Sequence, residues 1–301
     1  MKLTILGCYS ATPRAFTHPT SQLLEIKNQY FLIDCGEGTQ VQLRRHKLKF
    51  SRINHIFISH LHGDHFFGLP GLISTFRLLG REKELHVYGP KGIKEGITLL
   101  LKLGDSWTNY PLIFHELSSK NSEIILENEQ VRVTTIPLEH RIYTNGFLFR
   151  EKVNERPLNV SAVAQYGIDK SQFNNIKKGR DVILENGDRI ANRNLTLKPR
   201  DPKSYAFCSD TVYNEKIVPY VSGVDVLYHE STFLESEAHL CGRTKHSTAK
   251  QAAQIAKQAR VTTLILGHYS TRYKSIEAFK TEAEEVFTAV ELADDGKCFE
   301  F

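Results

Sequence analysis

Short apolar runs, each closed by a polar or glycine-rich turn, set the rhythm of the chain. Lys2–Leu6 opens as a strand. Leu23–Ile26 and Tyr30–Ile33 flank Lys27-Asn28-Gln29 as a hairpin, and Ile53–Ile58 is a buried strand by its Ile and Phe content. Helical spacing runs over Gln40 to about Lys49, Gly68–Leu79 and Ile93–Leu103. Between and after these come strands at Leu85–Tyr88, Leu112–Leu117, Glu123–Leu126, Val131–Pro137 and Gly146–Arg150. In the second half Ser204–Cys208, Val224–Tyr228 and Thr262–Leu266 read as strands, and Lys216–Tyr220, Thr248–Ala259 and Ile276–Glu284 as helices. Strands of both halves end in polar groups: Ser59-His60, Ser209-Asp210, His229-Glu230 and Gly267-His268. Layered α/β enzymes gather function at such strand ends.

The pattern fades over Glu151–Lys203, which has weak periodicity, many Asn and Lys, and little apolar material. A structureless loop of that length is out of place inside a compact domain. The segment reads as an excursion from the core, helical in part near Ser161–Tyr166 and Lys170–Lys177. It holds 11 Lys/Arg against 7 Asp/Glu, so it carries +4 of the chain's net +5. A solvated surface and a handle for a polyanion both fit that balance.

The remaining composition mainly excludes. Of 301 residues 41% are hydrophobic and 24% charged, ordinary for a globular chain with one large core or two fused halves. No apolar run approaches the roughly 20 residues that span a bilayer. Five scattered cysteines without a CxxC pair argue against a disulfide framework and for a reducing compartment, the cytoplasm.

The densest chemistry is Ser59-His60-Leu61-His62-Gly63-Asp64-His65. Four imidazole and carboxylate ligands in six residues suit zinc or manganese. They cannot all reach one tetrahedral ion without strain, whereas two ions side by side can share them. A two-metal centre, with ions roughly 3.5–4 Å apart, needs about seven protein ligands including a bridging carboxylate. His140, Asp210 and His268 each follow a short apolar strand and are candidates for the other three.

The loop resembles the signature of the metallo-β-lactamase superfamily, and the chain resembles its ribonuclease Z family, the tRNA 3′-processing endonucleases, from end to end. Asp34-Cys35-Gly36-Glu37-Gly38-Thr39-Gln40 is similar to that family's first motif. His229-Glu230-Ser231-Thr232 and His246-Ser247-Thr248 resemble its His-Glu-Ala-Thr and His-Ser-Thr motifs, and Gly267-His268-Tyr269-Ser270-Thr271-Arg272-Tyr273 its last. The resemblance implies an α+β chain, an αββα sandwich of the metallo-β-lactamase fold over residues 1–301. An inserted flexible arm, Glu151–Lys203, would grip precursor tRNA. It further implies two zinc ions per chain and a homodimer. His60, His62 and His140 would hold one ion, Asp64, His65 and His268 the other, and Asp210 would bridge them.

Hydrolysis of a phosphodiester then assigns Asp64 as proton acceptor from water and His246 as acid for the leaving 3′-oxygen, with Glu230 orienting His246. Asp34 would hydrogen-bond a metal ligand. Ser270, Thr271 and Arg272, and Lys177, Lys178 and Arg180 in the arm, are candidate RNA contacts. Many family members carry a Pro-x-Lys-x-Arg-Asn loop that refuses tRNA ending in CCA. Here Pro13-Arg14-Ala15-Phe16-Thr17-His18-Pro19 keeps a proline and a basic residue but not the spacing. Two alternatives stand beside the leading reading: a phosphodiesterase for small esters or cyclic nucleotides, and a metal-free RNA-binding relative.

Overall fold

Positive φ at Lys27 (46°) and Asn28 (68°) makes the tight turn that joins β2 (Ser21–Ile26) to β3 (Gln29–Ile33), with β1 (Lys2–Gly7) antiparallel on the other side of β2. The computed structural model describes residues 1–12, 14–153 and 155–301; Pro13 of the Pro13–Pro19 stretch and Asn154 of the basic segment lie outside them. After α1 (Thr39–Arg45) the chain alternates: β4 (Ile53–Phe57), α2 (Gly63–Phe66), α3 (Leu69–Leu78), β5 (Leu85–Pro90), α4 (Ile93–Leu103) and β6 (Leu112–Leu117). Strands β3 to β6 are parallel, so their C-terminal ends share one edge.

The second half begins with β7 (Ile124–Glu127) and β8 (Val131–Pro137), which pair antiparallel, and β9 (Asn145–Glu151), which lies beside β8. The basic segment follows, with α5 (Val160–Gln165), α6 (Phe173–Lys177), β10 (Val182–Ile183), β11 (Arg189–Ile190) and α7 (Asn192–Leu195). The chain then runs β12 (Ser204–Cys208), α8 (Val218–Val221), β13 (Val226–Glu230), α9 (Cys241–Thr244), α10 (Ala249–Ala259), β14 (Thr263–Gly267), α11 (Glu277–Glu284), β15 (Val290–Leu292) and β16 (Cys298–Glu300). Two seven-stranded sheets result, ordered β16-β1-β2-β3-β4-β5-β6 and β15-β14-β13-β12-β9-β8-β7. Strands β12 to β15 are parallel and add their C-terminal ends to the site.

Aromatic side chains fill the space between the sheets. Phe31 and Phe57 of the first sheet meet Phe147 and Phe149 of the second, with ring centroids 5.3–5.7 Å apart. On the outer face of the first sheet, Leu32, Ile56 and Val87 pack under Leu43, Leu72, Ile73 and Phe76 of α1 and α3. The outer face of the second sheet is covered by α10, whose Ala252, Ala253, Ala256 and Ala259 are fully buried. Small side chains bring that helix close to the strands. Each layer buries apolar area at about 25 cal/mol per Å².

Several element bounds differ from the sequence reading. Helix α1 stops at Arg45, where Lys47 turns left-handed (φ 55°) and a single 3-10 turn, Phe50–Arg52, follows. Strand β5 continues through Gly89 and Pro90, because both keep register with Glu116 and Leu117 of β6. Strand β13 begins two residues late and takes His229 and Glu230 into the sheet. The three-residue strands β15 and β16 are too short to leave a period.

The described residues divide into two compact units. One comprises Met1–Glu127, Val131–Arg150 and Lys203–Phe301; the other comprises Asn128–Gln130 and Glu151–Pro202. The smaller unit has an apolar core of its own, Val163, Ile168, Ile176, Val182 and Leu195. Asn192 braces it by donating to the carbonyls of Ile176 (2.7 Å) and Arg180 (2.9 Å). Lys177, Lys178 and Arg180 sit at the end of α6 and in the turn beyond it.

Candidate metal centre

The histidine loop leaves β4 and is fixed from beneath by Asp34, at the end of β3. One Asp34 oxygen accepts from the Ser59 backbone N–H (2.7 Å). The other accepts from Ser59 Oγ (2.9 Å) and stands 2.7 Å from His65 Nδ1. Both residues are fully buried. Asp34 therefore sets which nitrogen of His65 keeps the proton, leaving Nε2 to face inward. Three residues at strand ends turn left-handed: Asp34 (φ 55°), Asp210 (φ 60°) and His268 (φ 59°). Such conformations are uncommon for non-glycine residues and concentrate where function fixes the side chain.

Seven side chains converge in two sets. In the first, His62 Nδ1 lies 3.0 Å from His60 Nε2 and 3.2 Å from His140 Nε2. Asp210 Oδ2 lies 3.5 Å from His60 Nε2 and 3.7 Å from His140 Nε2. In the second, Asp64 Oδ2 lies 3.4 Å from His65 Nε2 and 3.5 Å from His268 Nε2, and Asp210 Oδ1 is 3.2 Å from each ring. The two oxygens of Asp210 thus serve one set each.

This donor set fits a pair of divalent cations. Donors sharing one tetrahedral ion at about 2.0–2.2 Å stand about 3.3–3.6 Å apart, close to the separations above. His65 Nε2 and His268 Nε2 are buried with no hydrogen-bond partner among the described residues, an expensive state unless a cation accepts their lone pairs. The opposite nitrogens of four rings are held: His60 Nδ1 by Ser59 Oγ (3.0 Å), His65 Nδ1 by Asp34, His140 Nδ1 by the Lys245 carbonyl (2.9 Å) and His268 Nδ1 by Thr232 Oγ1 (3.0 Å).

The electrostatics agree. Burial pushes His60, His62 and His140 below the ordinary histidine range, the neutral form that ligates metal. Burial also opposes charge on His65, but Asp210, Asp64 and Asp34 surround it and raise it well above that range. In the ion-free site a proton on His65 stands in for positive charge that a cation would supply.

At the rim, His246 Nδ1 is 2.8 Å from Glu230 Oε1. Glu230 is fully buried rather than part of a surface ion pair. It accepts from the backbone N–H groups of Thr211 (3.0 Å) and Thr232 (3.0 Å) and from the Thr232 hydroxyl (2.6 Å). Burial disfavours charge on His246, yet the Glu230 carboxylate outweighs it and raises the ring to about 9. Thr248 caps α10 through a reciprocal bond with Gln251, which fixes the turn carrying His246. His229 does not join the site; its Nδ1 donates to the Glu230 carbonyl (2.7 Å).

A cleft of about 400 Å³ opens over this centre. Ser270 lines it, whereas Arg272 pairs with Glu237 (2.9 Å) and lies over the Phe233 ring. Thr271 is absent from the described lining. Arg141, Ser10 and Thr12 also line the cleft, and sequence reasoning passed over them. For Arg141 a signal existed, its place next to His140; Ser10 and Thr12 carried none.

The chain is 47% identical to ribonuclease Z of Bacteroides fragilis, over 99% of this chain and 98% of that one. The chain belongs to the ribonuclease Z family. It is also 48% identical to the ribonuclease Z of Cytophaga hutchinsonii, over 99% of this chain and 95% of that protein. The crystal structure of human tRNase Z, short form, superposes with a TM-score of 0.72 at 27% identity, covering 100% of this chain and 99% of the human one. Residues 1–186 match the family model described as anti-Pycsar protein Apyc1. That match ends before Asp210, Glu230, His246 and His268, whereas the ribonuclease Z relatives span the complete centre. The fold is the metallo-β-lactamase fold, as the resemblance implied.

Proposed function

We propose that this chain is an endoribonuclease that removes the 3′ trailer from precursor tRNA, leaving a 3′-hydroxyl on the tRNA. The observation that carries the reading is the two-set ligand cluster with His246 and Glu230 at its rim. The bound group is proposed to be two zinc ions. His60, His62 and His140 would hold one, Asp64, His65 and His268 the other, and Asp210 would serve both. Such ions supply Lewis-acid charge to phosphoryl oxygens and make water acidic near neutral pH.

The chain's own residues handle the protons. Burial opposes charge on Asp64, but His65 and His268 hold its carboxyl well below the usual carboxylate range, so it stays ionised. It accepts the proton of the attacking water. His246, protonated beside Glu230, gives a proton to the 3′-oxygen as the phosphorus–oxygen bond breaks. Arg141 and Ser270 face the phosphate from the cleft wall. In the smaller unit Lys177, Lys178 and Arg180 grip tRNA, as the arm of the family would.

A homodimer fits the outer helices. Leu78, Leu99, Leu100 and Leu103 on α3 and α4 are at least half exposed, an apolar patch that a second copy would cover. Cytoplasmic placement draws on five free thiols, four of them buried. Among the described residues no helix is long and apolar enough to cross a membrane.

A second reading, hydrolysis of small phosphodiesters or cyclic nucleotides, draws on the modest cleft, which has room for little more than one nucleotide. Precursor tRNAs with and without CCA, followed by mapping of both product ends, test the leading reading. Cleavage beside the discriminator region with a 3′-hydroxyl supports it; an intact precursor under conditions where a small chromogenic diester is hydrolysed favours the second. Deleting residues 151–203 should abolish tRNA cleavage and spare the small diester. Asp64→Ala should abolish both activities.

A further inference from the structure

A second groove lies where α1 and α3 end, before the N-terminal ends of β4 and β5, and both helices start beside the metal loop. Their starts are tied there: Cys35 N–H donates to the His65 carbonyl, and Gly68 N–H to the Cys35 carbonyl. Strand β4 (Ile53–Phe57) separates Arg52 of the groove from Ser59 of the loop, and at about 3.3 Å per residue the two lie roughly 23 Å apart. The groove measures about 740 Å³. Arg44, Lys47, Lys49 and Lys83 line it, all exposed, and among the described residues none has an ion-pair partner. Glu82 is the one carboxylate in the described lining. Two further cations there are already engaged: Arg52 binds Glu25 (2.9 Å), and Arg81 donates to the carbonyls of Ile53, Lys83 and Glu84.

We propose that this groove is a second RNA-binding surface, holding backbone phosphates of the same RNA whose scissile phosphate lies at the metal centre. The proposal rests on reading the centre as an RNA-cleaving site. Along a duplex strand phosphates advance about 3.4 Å of axis each, so the groove lies about seven phosphates from the cut. Phe50 and Phe76 form its floor but are buried, 7% and 1% exposed. What meets solvent is ammonium, guanidinium and the half-exposed Leu79 rather than aromatic face. That balance suits phosphates, which position a nucleic acid without reading its sequence. A small diester reaches the metal centre alone and never meets the groove.

The test is Lys47→Ala/Lys49→Ala/Lys83→Ala in the full-length, metal-loaded protein. All three side chains are exposed, and an unchanged rate on a small chromogenic diester verifies an intact centre. KM for precursor tRNA should rise with kcat within twofold. Each lost phosphate contact should flatten the salt dependence of kcat/KM by about 0.9 in log–log slope. Between 50 and 200 mM salt the parent should then lose up to about 40-fold more than the variant. Equal KM and equal slope overturn the proposal while leaving the function intact. A variant that changes oligomeric state in light scattering makes the groove a contact between copies, and also overturns it. A parent protein that cleaves no precursor tRNA fails the functional reading itself, and the groove's role with it.

Discussion

Asp34→Asn isolates one idea: a buried carboxylate decides which His65 nitrogen is free to bind metal. The substitution keeps the size of the side chain and, like Asp, tolerates the left-handed backbone at φ 55°. Its amide oxygen can still accept from the Ser59 N–H. The amide nitrogen then replaces the oxygen 2.7 Å from His65 Nδ1. A donor there forces His65 to carry its proton on Nε2, where the lone pair is needed, or leaves two donors facing each other. Flipping the amide only transfers the conflict to Ser59. Loss of such a supporting partner typically costs 10–100-fold in metal affinity, about 1.4–2.7 kcal/mol. The ion-free protein should also lose about 1–3 kcal/mol for the conflicting buried donor, read by urea unfolding. Chelator competition with elemental analysis should show one tight and one weakened equivalent, because His60, His62 and His140 do not touch Asp34. Asp34→Ala should be worse in unfolding, since it orphans the Ser59 N–H, the Ser59 hydroxyl and His65 Nδ1 and dislikes the positive φ. Two equivalents held within threefold of the parent affinity in Asp34→Asn would refute this account of His65.

Three further outcomes are expected. In the ion-free protein, NMR titration should place His246 at about 9, and Glu230→Gln should return it toward about 6.5; the raised value means the pair stabilises fully below about pH 6.5 and is lost as pH rises through 9. Gly267→Ala should cost several kcal/mol and metal affinity together, because a Cβ there would sit 2.2 Å from the Tyr228 hydroxyl and displace the neighbouring ligand His268; thermal melts and metal content check it. Arg141→Ala should raise KM for precursor tRNA and small diester alike, whereas the groove variant acts on tRNA alone; steady-state kinetics on both substrates separates them.

How far the sequence could be read depended on whether a residue advertises its surroundings. The strands that deliver ligands were legible from their Ile, Leu and Phe content, and the ligands followed as polar residues at their ends. The period was not informative inside β13. A strand buried on both faces shows no alternation, so its last residues cannot be framed. Its two-residue offset takes Glu230, read from the resemblance as the partner of His246, into the sheet as a fully buried acceptor with four donors around it. The basic segment misled in the other direction, because five scattered apolar residues suffice for a small core without marking a face.

The least legible contact is the one that joins the parts of the site. His140 Nδ1 is held by the Lys245 carbonyl, and the next residue, His246, is held by Glu230. A backbone carbonyl has no sequence signature, and Lys245 exposes it only because its own φ is +60°. One short turn therefore orients a metal ligand with its peptide group and presents a proton donor with its next side chain. Thr232 repeats the device on the other side, bonding both Glu230 and His268 Nδ1. Through these two links the acid pair and both ligand sets share a rigid frame. The spacing between proton donor and metal centre is fixed by hydrogen bonds rather than by packing alone. Damage to Glu230 should accordingly reach His268 through Thr232, and metal content belongs beside turnover in every measurement on Glu230→Gln.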